Sequence, residues 1–161
     1  MRFPIFNREI EQAKSIAKDF NAQKTYNKFE CHNNYIGFLG EIAFAKLLKL
    51  NDIEYTWINL VKPNWDNPDF IIGGKTFDIK TTTGDSLWIQ EPKWDYYILA
   101  NYVPLQNHID FLGYIYKDRL TNIISNNPRV VVRENRSDYV LDYTKLSGIN
   151  MLIQEMKNKN I

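Results

Sequence analysis

The chain has 161 residues, 44% hydrophobic and 24% charged, which suits one globular domain and excludes a disordered chain. Its 20 Lys and Arg against 19 Asp and Glu leave a net charge of +1, which excludes a polycation that holds nucleic acid by bulk charge, and equally an acidic solvating tail. The single cysteine, Cys31, excludes an internal disulfide, no Cys/His cluster offers structural zinc spacing, and no apolar run approaches the roughly 20 residues that span a bilayer. Met1-Arg2-Phe3-Pro4 opens no signal-peptide h-region, so a soluble, cytoplasmic, single-domain protein with no membrane contact is expected over residues 1–161.

The periodicity predicts a first helix over residues 8–20, with Asn7 as its cap and Ile10, Ala13, Ala17 and Phe20 at helical spacing. Residues 21–33 read as a loop. A second helix is predicted from Asn34 to Leu50, its apolar stripe formed by Ile36, Leu39, Ala43, Leu47 and Leu50. The period then changes. Glu54–Leu60 reads as a strand, and Pro63, Asn64, Asp66, Asn67 and Pro68 as a loop. Asp69–Ile72 and Lys75–Thr82 read as strands joined by Gly73-Gly74, a favoured two-residue hairpin turn. Leu87–Gln90, Tyr96–Val103 and Phe111–Tyr116 are further strands, followed by a short helix near residues 117–125. Arg129–Arg133 and Tyr139–Leu141 read as extended, and Thr144–Asn158 as a closing helix with Leu146, Ile149, Ile153 and Met156 on one side. The expected fold is α/β, with a central mixed sheet flanked by helices.

The charge is unevenly spread: +3 over residues 1–50, −5 over 51–116 and +3 over 117–161. The hairpin shows what the acidic middle contains. A two-residue turn pairs Ile72 with Lys75, Ile71 with Thr76, Phe70 with Phe77 and Asp69 with Asp78. One face then carries Phe70, Ile72, Phe77 and Ile79, and the other carries Asp69, Asp78, Lys80 and Thr82. Like charges opposed across strands repel unless a proton or cation lies between them. A hard divalent cation takes one or two carboxylates together with waters and substrate phosphate. The same pattern also suits a plain hairpin with a solvated Asp–Lys surface pair.

Pro68-Asp69 followed by Asp78-Ile79-Lys80 resembles the PD-(D/E)xK nuclease motif, and Gly37-Phe38-Leu39-Gly40-Glu41 resembles the helix that supplies the superfamily's additional carboxylate. Gln90 resembles a glutamine that some branches place downstream. The resemblance covers about residues 37–116 and is nearest to small phage, archaeal-virus and restriction-like members. It implies a restriction-endonuclease-like core and a Mg²⁺-dependent nuclease acting on DNA, with Mn²⁺ able to substitute and RNA left open as substrate, and a homodimer is expected of a small nuclease that must act on both strands. It implies that Asp69, Asp78 and the main-chain carbonyl of Ile79 hold the metal and that Glu41 completes the site directly or through water. Lys80 would orient or help deprotonate the attacking water, and Gln90 would support the site or contact DNA. Two departures stand out. The third motif position is Asp78 rather than Glu. The family's helix between its third and fourth strands would fall in Gly84–Asp95, a stretch with Gly84 and Pro92 that forms a poor helix.

Other signals point less far. Gly74-Lys75-Thr76 echoes a phosphate-binding loop, but the glycine that motif needs five residues earlier is Asp69, and a strand follows. His32 and His108 lie in no recognisable nucleophile elbow, and no local feature marks Cys31 as a nucleophile, so an inert thiol is expected. Trp57, Trp65, Trp88, Trp94 and Tyr96-Tyr97 suit a core better than base stacking. Lys117, Arg119, Arg129, Arg133 and Arg136 suit either a phosphate-binding surface or solubilising charge. Two other functions stay open beside the nuclease: a nucleic-acid-binding or assembly module without turnover, and an unrelated α/β protein whose hairpin pattern is accidental.

Overall fold

The computed structural model describes residues 1–22, 34–61, 67–126, 130–133 and 136–158. The elements run β1 (Arg2–Pro4), α1 (Asn7–Ala22), α2 (Asn34–Leu50), β2 (Thr56–Trp57), α3 (Ile58–Val61), β3 (Phe70–Ile72), β4 (Lys75–Thr82) and β5 (Ser86–Ile89), then β6 (Tyr96–Val103), β7 (His108–Tyr116), α4 (Lys117–Asn126), β8 (Val130–Arg133), β9 (Arg136–Asp142) and α5 (Ile149–Lys157). Six strands form a mixed sheet in the order β1-β7-β6-β4-β3-β2, and β5-β9-β8 form a second sheet. Neighbours in the large sheet are antiparallel except β4 and β6, which run parallel. The mixed α/β architecture is as expected.

The parallel pair needs a crossover, and the 83–95 connection supplies it without a helix, as Gly84 and Pro92 require. That connection instead gives β5 to the second sheet, where it pairs with β9 some fifty residues later in the chain. One face of the large sheet is covered by α2, with Phe44 edge-on to Phe70 at 5.3 Å and to Phe111 at 6.0 Å. The opposite face carries a second cluster built from Leu87, Ile89, Tyr97, Leu99, Ile115, Leu120 and Leu141, so the second sheet and α4 cover it. No helix among the described residues is long and apolar enough to cross a membrane.

Several boundaries differ from the sequence expectation, each for a local reason. The strand expected over Glu54–Leu60 is only the two-residue β2, after which the chain turns into α3. The closing helix starts at Ile149 rather than Thr144. Tyr143–Lys145 is a 3₁₀ turn in which the Asp142 carboxylate accepts the Thr144 N–H, and Leu146 lies before the helix. In α2 the buried stripe is wider than expected and includes Phe38, Ile42, Phe44, Ala45 and Leu48, whereas Leu50, at the helix end, is exposed. Of the first loop, residues 21 and 22 belong to α1, and residues 23–33 lie outside the described residues.

The start of α1 also differs. Asn7 is the first helical residue rather than the cap. The cap position is Phe6, and Glu9 three residues on reaches back to the Phe6 N–H at 2.8 Å. The buried Glu9 carboxylate also takes Lys46 at 2.6 Å and Arg8 at 2.8 Å, tying α1 to α2. Burial alone would raise its pKa, but the hydrogen bonds from Lys46, Arg8 and Phe6 outweigh that and hold it down to about 2. A carboxyl with a lowered folded pKa stabilises fully above its unfolded value of 4.5, and that stability is lost as pH falls toward about 2. Since Arg8 is largely exposed, solvent screening trims the effect. Glu9→Gln keeps the cap but loses the ion pairs. Urea unfolding should show it about 1–2 kcal/mol less stable than the parent at pH 7, with the gap closing by pH 2–3.

Candidate functional site

The hairpin has the expected register, with Ile72 opposite Lys75, Ile71 opposite Thr76 and Phe70 opposite Phe77. Gly73 and Gly74 carry φ of 56° and 84°, the left-handed values such a turn demands. Phe70, Ile72, Phe77 and Ile79 are all buried against α2. The ladder stops at Phe70, however, so Asp69 does not pair with Asp78 as expected. The Asp69 N–H reaches the Phe77 carbonyl, and its Oδ2 accepts the Ile79 N–H at 2.6 Å. A side chain has taken the amide that a continuing strand would have filled, and this fixes the Asp69 carboxylate against β4.

Glu41 comes to the same place from α2. Gly40 lets the helix approach, because a Cβ there would run into Thr81 of β4. Gly37 has open space around its missing Cβ, and its contribution is the carbonyl that accepts the Thr81 hydroxyl at 3.4 Å. Glu41 is 5% exposed, and its Oε2 accepts the Trp57 indole N–H at 2.6 Å and the Asn59 amide at 3.0 Å. The same Asn59 nitrogen donates to Asp69 Oδ1 at 3.0 Å. One amide therefore bridges the carboxylates of α2 and the Asp69 segment. Trp57 and Asn59 were missed as site residues in the strand expected there. The one available signal was a polar residue inside the apolar run Trp57-Ile58-Asn59-Leu60-Val61.

Asp78 and Lys80 complete the group. By strand alternation both leave β4 on the face opposite Phe77 and Ile79. Lys80 Nζ lies 3.0 Å from Asp78 Oδ1 with hydrogen-bond geometry and 2.8 Å from Oδ2 without it, so the buried Oδ2 accepts no hydrogen bond. Asp78 is 6% exposed, whereas the Lys80 side chain is 44% exposed and reaches solvent.

The electrostatics are strained. Burial pushes the Glu41 carboxyl up to about 7, with Trp57 and Asn59 opposing and the Asp78 charge adding to the rise. Burial pushes Asp69 well above the usual carboxylate range, and the charges of Glu41 and Asp78 push it further. Burial would lower Lys80, but Asp78 and Asp69 more than offset it, so its ammonium is held charged. Three carboxylates thus share one cation and are short of positive charge.

The carboxylates are turned onto internal donors. Among the described residues, no three His, Cys, Asp or Glu side chains are grouped so that they could hold one metal ion. The physical reason is visible in the contacts: Asn59 and the Ile79 N–H occupy Asp69, and Lys80 occupies Asp78. What Ile79 brings to the site is its N–H on Asp69. Gln90 is exposed, one residue past the end of β5 in the second sheet, and is not gathered into the cluster by any contact described.

Several of the remaining candidates have partners elsewhere in the fold. His108 is buried and pairs with Asp110 at 3.0 Å, which also takes Arg2, so it joins β7 to β1. Gly74-Lys75-Thr76 is a hairpin turn and strand, not a phosphate loop. Trp57 stacks on Phe70 at 5.5 Å, Tyr96 stacks on Phe77 at 4.6 Å and Tyr97 is buried. Arg119 is engaged with Ser147 at 2.7 Å, and Lys117 with the Lys93 carbonyl at 3.3 Å. Cys31, His32, Trp65 and Arg129 lie outside the described residues. Comparison of the chain with models of known families, with curated proteins and with solved structures gives no match in any of the three.

Proposed function

We propose that the protein is a metal-dependent nuclease that hydrolyses phosphodiester bonds in DNA, on a restriction-endonuclease-like core. The observation that carries this reading is the clustering of Glu41, Asp69, Asp78 and Lys80 where α2 packs on the hairpin, close enough for Glu41 and Asp69 to feel the charges of their neighbours Asp78 and Lys80. The order of the elements supports it: a helix with the additional carboxylate, a meander of β2, β3 and β4, and a following strand, β6, parallel to β4.

The donor set fits a hard divalent cation. All three acidic groups offer oxygen, Glu41 and Asp69 are pushed toward protonation chiefly by burial and further by neighbouring negative charge, and Asp78 Oδ2 is buried without a hydrogen bond. Asp69 and Asp78, with the Ile79 carbonyl, would hold Mg²⁺ or Mn²⁺. Glu41 would reach it through Oε1 or a water, since Oε2 already accepts two donors. A divalent ion there supplies charge neutralisation at the phosphate and a more acidic water. Lys80, charged and open to solvent, orients the attacking water and adds positive charge beside the scissile phosphate. Gln90 would act only at the edge of a bound substrate. With a net charge of +1, DNA affinity would come from local contacts and the ion, and would weaken as salt rises.

The test is cleavage of plasmid DNA by the purified chain with Mg²⁺, with Mn²⁺ and with EDTA, beside Asp78→Asn. Cleavage with either metal, lost in EDTA and in the variant, is expected. Undiminished cleavage by Asp78→Asn would remove the site assignment. A non-catalytic nucleic-acid-binding or assembly module is the second reading, favoured by the carboxylates being turned onto internal donors rather than onto one shared point. DNA binding with no cleavage in either metal would decide for it.

A further inference from the structure

We infer that Asn59 is a positioning residue, a clamp that holds the Glu41 and Asp69 carboxylates beside each other where a divalent cation would bind. This rests on the metal-site reading above and deepens it.

The argument starts from donors and acceptors. A side-chain amide nitrogen carries two hydrogens, and an ionised carboxylate has only acceptors. Asn59 Nδ2 stands 3.0 Å from Glu41 Oε2 and 3.0 Å from Asp69 Oδ1, so both hydrogens are spent on the two carboxylates. Those two oxygens therefore lie within two hydrogen-bond lengths of each other. Without the bridge, two acceptor groups would face each other with no donor between them, and would repel when ionised.

Each carboxylate is then locked at a second point. Trp57 donates to the same Glu41 oxygen at 2.6 Å, and its ring is stacked on Phe70. The Ile79 N–H holds the other oxygen of Asp69. Asn59 itself is buried and sits on α3, whose first residue is anchored by the Ile58 N–H on the Asp69 carbonyl at 2.9 Å. The clamp and one of the groups it clamps are thus tied together through the backbone. Polar partners that orient ligating carboxylates commonly contribute 10- to 100-fold in metal affinity.

The experiment is a titration of Mn²⁺ alone into the purified full chain, followed calorimetrically, for the parent, Asn59→Ala, Asn59→Leu and Asn51→Ala. Asn59→Leu keeps the bulk and removes the donors without adding a charge, and it serves if Asn59→Ala fails to fold. Asn51 also donates its amide to α2, at the Leu47 carbonyl 2.9 Å away, and controls for general loosening of that helix. Mn²⁺ affinity should fall tenfold or more for the Asn59 variants and stay within twofold for Asn51→Ala. Asn59 variants within twofold of a parent that binds Mn²⁺ would overturn the clamp and leave the metal site standing. An equal loss in Asn51→Ala would also overturn it. A parent that binds no Mn²⁺ would overturn the metal site, and the clamp with it.

Discussion

Gly40→Ala should destabilise the protein by about 1–3 kcal/mol, while Gly37→Ala, one turn away in the same helix, should stabilise it by up to about 1 kcal/mol. The two substitutions have the same helix propensity gain, since glycine in a helix interior costs backbone entropy that alanine does not. They differ in what the new methyl meets. At Gly37 it meets nothing within 4 Å. At Gly40 it collides with the Thr81 hydroxyl and lies 3.0 Å from Thr81 Cβ and 3.2 Å from Cγ2. Thr81 is β-branched and sits inside a paired strand, so it has little room to turn. Either α2 lifts from β4 or the strand buckles. Because Glu41 is the next residue, a lifted helix also pulls its carboxylate from Trp57 and Asn59. Thermal unfolding should place Gly40→Ala several degrees below the parent and Gly37→Ala slightly above. Thr81→Ala in the Gly40→Ala background removes the hydroxyl and Cγ2 and should recover much of the loss. Equal, additive effects of the Gly40 and Thr81 changes would show that they do not meet.

The pair also shows what could be read in advance. Both glycines belong to the stretch that resembles the carboxylate-bearing helix, but a sequence does not say which of them faces the strand. That depends on the rotation of α2 about its axis, which the whole core sets through Phe44, Phe70 and Phe111. Local signals worked well where one period dominated. α2 and the strands β4 and β6 fall where expected, and Gly73-Gly74 dictates the hairpin register because few other residue pairs adopt two left-handed conformations in a row. They failed at Glu54–Leu60, a short apolar run in which strand and helix periods cannot be told apart. They failed again at Asp69, where a side chain replaces the ladder. Of the candidate site, Asp69, Asp78 and Lys80 were legible from the hairpin spacing, and Glu41 only through the resemblance. Trp57 and Asn59 were not, because their partners lie 16 and 18 residues away on another element and only packing brings them together. The pairing of β5 with β9 was hidden for the same reason.

Glu41→Gln should make the protein more stable at pH 8 while cutting cleavage by about a hundredfold. The Glu41 carboxyl is raised to about 7, from an unfolded value of 4.5, chiefly by burial. Between those values the folded protein holds the proton more tightly than the unfolded chain, so stability is full below about 4.5 and is lost as pH rises through about 7. The loss is on the order of 3 kcal/mol. Glutamine avoids it, since its carbonyl oxygen still accepts Trp57 and Asn59 and no charge has to be buried beside Asp69 and Asp78. The gap between variant and parent should therefore open as pH rises from 5 to 8. A divalent cation acts in the opposite direction. By binding the folded form it should raise the melting temperature of the parent at pH 8, and it should do so less for Glu41→Gln, which offers one negative charge fewer. Thermal unfolding of both proteins at pH 5 and pH 8, with Mn²⁺ or EDTA, tests the stability changes without any substrate, and plasmid cleavage by Glu41→Gln tests the loss of activity. A variant less stable than its parent at pH 8 in EDTA would mean that Glu41 is comfortably charged where it sits. The carboxylate cluster would then be an internally compensated network, with no standing deficit for a cation to fill.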